Sequence, residues 1–407
     1  PIAVAMGFSS LSALALGGRI PLTLIPQRVV VSLDSFALMA VPLFILAGQL
    51  MNHGGITKRI IAFSNAVVGH IKGGLSHVNV VASMIFAGVS GSSTADAAGI
   101  GSVLIPAMIE DGYDEDWAID ITAASSTIGP IIPPSILMVI YGSITQLSIG
   151  RLFLAGLIPG VAIGLALIVV GYILAVARKQ RSHSRSSISI LWSTFKDAFP
   201  ALLAPLIILF GITSGIFTAT EAGVIAALYA LAVGIYYGEI RWSNLYETLL
   251  AVAKNTTVIL FIIGCAASFG WILAREQIPQ LLTGFLLTIS EDPTIVLLLL
   301  AALILLIGLF VEGLAAMMIF VPILVPIADT LGYDPFHFAM IMLVCIQIGA
   351  ITPPVGMLLF VTCSSANLPV RKTGTLIWVF VGGLLVVLLL IIFVPSIATY
   401  LPYRLLG

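Results

Sequence analysis

Apolar runs fill most of the 407-residue chain, and small polar residues, glycines and prolines interrupt them at a few places. The run at 152–177 is long enough to cross a bilayer, because about 20 apolar residues span its hydrocarbon core. The runs at 78–86 and 100–109 are too short for this, and the polar stretch GVSGSSTADAAG separates them. Two short runs around a polar tip predict a re-entrant hairpin at 78–110.

A second copy of this pattern follows at a constant offset along the chain. Gly112-Tyr113-Asp114 corresponds to Gly332-Tyr333-Asp334, and Pro133-Pro134 corresponds to Pro353-Pro354. No further Pro-Pro pair occurs in the sequence. Matches that share one offset indicate an internal duplication. The same offset places the beginning of the first helix before residue 1. We therefore expect residues 1–17 to be only the later part of that helix.

The duplication predicts an all-α integral membrane protein with matching elements in its two halves. Each half has an amphipathic surface helix, a re-entrant hairpin and a membrane helix that prolines break at its middle. We place the first repeat at 1–177, with its surface helix at 56–71, its hairpin at 78–110 and its broken helix at 116–145. After a linker at 178–198, the second repeat at 199–407 has a surface helix at 278–290, a hairpin at 294–329 and a broken helix at 335–364. The remaining apolar runs predict an interfacial connector at 18–36 and further spans at 152–177, 201–217, 222–238, 249–273 and 374–397.

The distribution of basic residues predicts the orientation, because lysines and arginines accumulate on the cytoplasmic side. If the basic linker at 178–198 is cytoplasmic, the first hairpin enters the membrane from the cytoplasm and the second from outside. The repeats are then inverted, as alternating access requires. The inner side holds Lys58, Arg59, Lys72, Arg178, Lys179, Arg181, Arg185, Lys196, Arg241, Lys254, Arg371 and Lys372, and the outer side holds Arg19, Arg28, Arg151, Arg275 and Arg404.

The amino-acid composition excludes several classes of function. The chain is 60% hydrophobic and 9% charged, with a mean hydropathy of +1.17, so its main surroundings are the lipid bilayer. A net charge of −1 offers no attraction for nucleic acid. The three cysteines lie in apolar runs, and the histidines are scattered without metal-ligand spacing. No phosphate-binding loop and no nucleophile–base motif is present, so we predict a transporter and not an enzyme.

The first proline-rich break has the chemistry of a monovalent cation site. Prolines at 130, 133 and 134 have no N–H group, so carbonyl oxygens around 127–132 lose their helical partners. Hydroxyl groups of Ser90, Ser92, Ser93 and Thr127 add uncharged oxygen ligands. This set suits sodium better than zinc or calcium, which prefer thiolate, imidazole or several carboxylates. The alternative is that the small residues only allow close helix packing.

The second break predicts a second sodium ion and, between the two breaks, a substrate site. The equivalent positions for the second ion are Gly313, Gln347, Gly349 and Thr352. Half-helices that begin at the tips and breaks present free N–H groups, which attract a carboxylate. The expected substrate contacts at or near these places are Ser93, Thr94, Ser126, Pro133, Pro353 and Arg275.

Four charged residues within apolar segments need an explanation. Asp96 and Glu312 lie at the hairpin tips and either bind a cation or a proton, or cap a half-helix; for Asp96 we favour the cap. Arg275 contacts the substrate, or it pairs with Glu276 or anchors the helix at the interface. Asp120 is two turns from its break, so we expect it to face a partner helix.

Four stretches in this order resemble the large membrane subunit of tripartite ATP-independent periplasmic (TRAP) transporters: GVSGSSTADAAGIGSVLIPAM, ASSTIGPIIPPS, GIFTATEAG and GAITPPVG. The resemblance covers nearly the whole chain. It implies an elevator-type fold and sodium-coupled import of an organic acid across a bacterial inner membrane. Matched position by position, the family's ion sites fall on Ser90, Gly129, Ile132 and Pro134 in the first repeat and on Gly349 and Thr352 in the second.

The resemblance also implies two partners. One is a small four-helix membrane subunit, either separate or fused upstream, and the other is a soluble periplasmic protein that captures the substrate. The alternatives are a carboxylate symporter of similar inverted-repeat fold that works alone, and an intramembrane enzyme. Sialic acid, a C4-dicarboxylate and a 2-oxo acid all remain open as the substrate.

Overall fold

The computed structural model describes residues 2–17, 20–180, 182–240, 242–369 and 374–406, without the side chains of 242–244. Every element in this part of the chain is a helix. The first nine α-helices are α1 (Ile2–Gly17), α2 (Leu24–Leu33), α3 (Ala40–His53), α4 (Ile56–Val68), α5 (Gly74–Ser90), α6 (Ser93–Glu110), α7 (Glu115–Ser126), α8 (Ile136–Thr145) and α9 (Ile149–Ala177), and a short 3-10 helix at Phe36–Met39 precedes α3.

The second part of the chain contributes ten further helices. They are α10 (Ile188–Thr213), α11 (Ala219–Tyr236), α12 (Trp242–Arg275), α13 (Ile278–Ile289), α14 (Pro293–Gly308), α15 (Gly313–Thr330), α16 (Pro335–Ile351), α17 (Met357–Ser365), α18 (Ile377–Phe393) and α19 (Ser396–Leu405). Six helices in the described residues are long and apolar enough to cross a membrane, or seven spans if α18 and α19, bent by 56°, form one. The predicted all-α integral membrane protein is confirmed.

The duplicated sequence forms duplicated helices. Adding 220 to the bounds of α6 (Ser93–Glu110) gives the bounds of α15 (Gly313–Thr330). The helix pairs on either side of the two proline-rich breaks also correspond, α7 and α8 in the first repeat and α16 and α17 in the second. Both Pro-Pro peptide bonds are cis. Each repeat therefore places a hairpin next to a broken helix.

Local sequence sets the sharp tip of the first hairpin. Gly91 ends α5 with φ at +61°, a left-handed conformation that glycine adopts without steric cost. The Ser92 hydroxyl then accepts a hydrogen bond from the Ala95 N–H, at 3.4 Å, and so begins α6. Two residues are enough to reverse the chain, so α5 and α6 are longer than the short runs at 78–86 and 100–109.

Several predicted boundaries differ from the helix ends in the structure. The connector at 18–36 contains α2, and the linker at 178–198 already becomes helical at Ile188. The surface helix predicted at 56–71 ends at Val68, before Gly69. The second break is confined to 352–356, because α16 continues through Gln347 and Gly349 as far as Ile351. Single polar residues and glycines within these segments do not stop a helix that packs against neighbours.

Ionic contacts join the linker to the turn between the first hairpin and α7. The Arg178 guanidinium pairs with Asp114, and His183 Nε2 lies 3.2 Å from the Asp111 carboxylate. Arg178 also lies over the Trp117 ring, 5.7 Å from its centroid. The base of the first hairpin and the basic linker are therefore on one side of the protein. Among the basic residues that define the orientation, Arg19, Arg181, Arg241, Arg371 and Lys372 lie outside the described residues.

The inverted arrangement predicts opposite labelling of the two hairpin bases. Asp111 and Asp329 are both exposed, and the native cysteines are buried. We expect Asp111→Cys in intact cells to resist a membrane-impermeant thiol reagent and Asp329→Cys to react fully, because the bases open to opposite sides. Inside-out vesicles should reverse the result. Labelling of both cysteines from one side would contradict the inverted topology.

Candidate functional site

The tip of the first hairpin packs directly against the first helix break. The Ile136 N–H donates a hydrogen bond to the Gly91 carbonyl, at 3.3 Å. A Cβ atom at Gly91 would lie 2.5 Å from the Pro134 carbonyl oxygen, and one at Gly129 would lie 3.0 Å from the Ser92 carbonyl carbon. Glycine is thus required at both positions for the tip and the break to meet.

Backbone oxygens at this contact lack hydrogen-bond donors. Within the described residues, the carbonyl groups of Gly129, Ile132 and Pro134 accept no hydrogen bond from backbone or side chains, whereas the Ser135 hydroxyl donates to the Pro130 carbonyl, at 2.6 Å. Buried carbonyl oxygens of this kind require a cation, a water molecule or another donor. This arrangement fits the sodium site expected from the sequence.

The hydroxyl groups predicted for the first sodium site differ in their surroundings. Ser90 is buried and accepts a weak hydrogen bond from the Ser92 N–H, at 3.5 Å. Ser92 caps α6 and lies 3.0 Å from the Thr94 hydroxyl. The Thr127 hydroxyl donates to the Ala124 carbonyl within its own helix, at 2.6 Å, which leaves its oxygen free to coordinate. The Ser93 side chain lines the neighbouring cavity.

The residues predicted for the second sodium site lie in two adjoining contacts, both of which include Ile346. Gly313, at the tip of the second hairpin, lies beside the Gln347 side chain, whose carbonyl oxygen is buried without a hydrogen-bond donor. Gly349 instead packs on Gly308, where a Cβ atom would lie 2.5 Å from backbone. The Thr352 hydroxyl donates to the Ile348 carbonyl, at 2.6 Å. Gly313 and Gln347 therefore form one part of the predicted site, and close helix packing explains the glycine at 349.

A cavity of about 490 Å³ lies between the two hairpin tips and two long helices of the other spans. This volume is within the roughly 300–1,000 Å³ of ligand pockets in general. The hairpin tips and α8 form one wall, and α3 and α12 form the other. The polar residues that line it are Gln49, Asn52, Ser90, Ser92, Ser93, Thr94, Asn255, Glu312 and Gln347.

The predicted substrate contacts divide into two groups. Ser93 and Thr94 line the cavity. Ser126 is buried and donates to the Ala123 carbonyl, at 2.7 Å, and the prolines at 133 and 353 do not line the cavity. Arg275 is exposed, and its guanidinium lies 3.5 Å from the Glu276 carboxylate. Arg275 is therefore not brought to the cavity.

The three acidic residues within apolar segments differ in their surroundings. Asp96 is not the cap of α6, because Ser92 fills that role one turn earlier; Asp96 is fully buried, and neither of its oxygens makes a hydrogen bond in the described residues. Glu312 caps α15 and accepts hydrogen bonds from the Leu314 and Ala315 N–H groups, at 3.1 and 3.2 Å. Asp120 is fully buried near the backbone of Gly374 and Ile377, and so faces α18 as expected.

Sequence reasoning missed the polar residues on the opposite cavity wall. Gln49 and Asn52 lie on α3, and Asn255 lies on α12. It also missed a buried network between α5 and α7, in which Asn79 hydrogen-bonds to Thr122, at 2.6 Å, and to Ser125, at 2.9 Å. An amide side chain inside an apolar run is the signal that would have identified them.

Comparison with known proteins identifies the family. The family described as "Tripartite ATP-independent periplasmic transporter, DctM component" matches residues 1–397. The chain is 40% identical to the sialic acid TRAP transporter large permease protein SiaM of Vibrio cholerae, over 100% of this chain and 96% of that protein. It is 41% identical to the C4-dicarboxylate TRAP transporter large permease protein DctM of Pseudomonas aeruginosa, over 91% of this chain and 87% of that protein.

A solved structure shares the fold. The YdaH transporter of Alcanivorax borkumensis, which has an unusual topology, matches with a TM-score of 0.63 over 98% of this chain and 97% of that chain. The two sequences are 15% identical, so the likeness concerns the fold alone.

The contact between Ser92 and Gly129 predicts a specific loss of stability. We expect Gly129→Ala to lower the free energy of unfolding by about 1–3 kcal/mol, because the added methyl group displaces the hairpin tip. Gly382→Ala is the matched control, since a Cβ atom there meets nothing within 4 Å. Thermal unfolding of the purified variants measures the difference. Equal melting temperatures would show that the tip does not pack on the break.

Proposed function

The chain belongs to the DctM component family of tripartite ATP-independent periplasmic transporters, multi-pass permeases of the bacterial inner membrane and not enzymes, and we propose that it imports an organic acid together with sodium. In this proposal at least two sodium ions bind at the hairpin tips and helix breaks. The substrate occupies the adjacent cavity of about 490 Å³. The import proceeds by an elevator movement.

The observation behind the proposal is the contact of the first hairpin tip with carbonyl groups that have no donors. Ser90 and Ser92 of the tip offer hydroxyl oxygens, and Gly129, Ile132 and Pro134 of the break that packs on this tip offer carbonyl oxygens. Neutral oxygens with no carboxylate among them match a weakly hydrated monovalent ion better than calcium or magnesium. For the second ion, the strongest candidate ligand is the side-chain carbonyl oxygen of Gln347, which is buried without a hydrogen-bond donor; the nitrogen of the same amide lies beside Gly313.

The position of the cavity supports an elevator movement from an inward-facing conformation. Asn52, next to the end of α3 that we assign to the cytoplasm, lines the cavity, and so do Glu312 and Gly313 of the outer hairpin. A rigid unit of hairpins and broken helices that slides along α3 and α12 opens the site to the other side. The remaining helices then form the static scaffold.

The partners follow from the family. We expect a small four-helix membrane subunit to stand beside the scaffold and a periplasmic binding protein to deliver the substrate from outside. Membership in a tripartite family argues against a carboxylate symporter that works alone. The relatives at 40% and 41% identity are described for sialic acid and for C4-dicarboxylates, so family membership leaves the acid undecided.

Sodium coupling predicts an absolute requirement for a sodium gradient. Uptake into proteoliposomes that contain the chain and its small subunit, with binding protein added, should need inward sodium and no ATP. We expect Ser90→Ala to raise the sodium concentration for half-maximal uptake about tenfold, the effect of losing one ligand of about 1.4 kcal/mol. Ser102→Ala is the control, because its hydroxyl only bonds the Gly99 carbonyl within α6. Undiminished uptake with potassium in place of sodium would refute the coupling.

The elevator movement predicts that a cross-link between scaffold and moving unit stops transport. The hydroxyl oxygens of Ser35, before α3, and Ser143, on α8, lie 3.3 Å apart. Cysteines at both positions should form a disulfide under oxidation and abolish uptake, and dithiothreitol should restore it.

A cross-link within the scaffold provides the control for this experiment. A Cβ atom at Gly7 on α1 lies 3.4 Å from the sulfur of Cys265 on α12, so Gly7→Cys should bridge two scaffold helices. That bridge should leave uptake unchanged. Full cross-linking of positions 35 and 143 without loss of uptake would exclude a moving α8.

A further inference from the structure

The charge content of the cavity separates the acids that family membership leaves open. Among the described residues that line it, Glu312 has the only formal charge, and no lysine, arginine or histidine is present. The other polar groups are amides and hydroxyls from both walls. A carboxylate of the substrate therefore finds no cationic side chain here, and its charge must be balanced by the sodium ions.

The cap of α15 uses only one of the two carboxylate oxygens of Glu312. Its Oε2 accepts the hydrogen bonds from Leu314 and Ala315 that cap α15, and its Oε1 makes none within the described part of the chain. An ionised carboxylate only accepts hydrogen bonds. A ligand that lies beside Glu312 must therefore donate one, and hydroxyl or amide groups do so, whereas a second carboxylate does not.

The opposite wall has groups that both donate and accept. Gln49 on α3 and Asn255 on α12 present amides to the cavity, and Ser93 and Thr94 present hydroxyls from the hairpin tip. Each amide offers two donors and an acceptor. Such a lining matches a ligand with several hydroxyl groups better than an apolar chain, which would leave these groups without partners.

The balance of charges in the site also favours a monocarboxylate. With two sodium ions bound, Glu312 and one substrate carboxylate bring the site to neutrality. A dicarboxylate adds one further negative charge next to Glu312 in a partly desolvated cavity, where repulsion between like charges is strong. The site thus discriminates between a single and a double acid.

We infer that the substrate is a monocarboxylate rich in hydroxyl groups, of the sugar-acid type, and that Glu312 is the residue that selects it over a dicarboxylate. This inference rests on the proposed function, because it takes the cavity as the substrate site and sodium as its counter-charge. It names a class within the organic acids that the family transports.

Direct binding to the purified chain tests the inference without the selectivity of a binding protein. Isothermal titration in sodium buffer should give heats with D-gluconate and N-acetylneuraminate, and at least tenfold weaker binding of succinate and of hexanoate. The Glu312→Gln variant should weaken gluconate binding about tenfold and bring succinate closer to it. Gln retains an acceptor for the cap of α15, and Glu291→Gln, an exposed acid outside the cavity, is the matched control.

The outcomes separate this inference from the proposed function. Succinate that binds as tightly as gluconate overturns the sugar-acid assignment and leaves sodium-coupled acid transport intact. Hexanoate that binds as tightly as gluconate shows that hydroxyl groups are not recognised and also overturns it. If no acid binds and sodium alone does not stabilise the chain, the proposed function fails as well. The ranking of the four acids on the unaltered chain decides the matter even if Glu312→Gln does not fold.

Discussion

The need to pair every backbone polar group inside a bilayer governs this protein. Helices satisfy that need within themselves, which is why every described element is a helix. The exceptions at the centre of the two repeats are the hairpin tips, at 91–92 and 309–312, and the two proline-rich breaks. At the first tip and the first break, the unpaired carbonyl groups lie among other helices and beside the cavity. These departures from helix are the places where we propose that ions bind.

Much of this organisation could be predicted from the sequence because prolines and glycines mark it. The pairs Pro133-Pro134 and Pro353-Pro354 identify the breaks and the repeat, and the structure places helix ends beside both. The local sequence predicted helix ends less well where packing between helices determines them. Gln347 and Gly349 look like residues of a break, yet α16 runs through them because neighbouring helices support it. Packing partners are not visible in a single sequence.

The residues of the candidate site could also be predicted only in part. The polar residues of the first tip and break, Ser90 and Gly129 among them, were found from composition and the family resemblance. Gln49 and Asn255 were not, because they come from helices distant in sequence that share only a cavity wall with the tips. Asp96 was expected to cap α6, but Ser92 stands at the cap position, one helical turn earlier. Capping depends on where the chain turns, and Gly91 fixes that turn within one residue.

The two hairpins are alike in backbone but not in charge. Ser92 caps the inner hairpin helix, and Glu312, which corresponds to it in the second repeat, caps the outer one. If the hairpins move as one unit, Glu312 is a fixed negative charge that travels through part of the membrane potential. One elementary charge moved across 100 mV corresponds to about 2.3 kcal/mol. The empty unit would then carry the negative charge of Glu312, whereas the unit loaded with two sodium ions and one carboxylate would be neutral, so the resting potential would assist only the outward return of the empty unit. A transient current on a voltage step, lost in Glu312→Gln, would reveal this electrical asymmetry of a nearly symmetric fold.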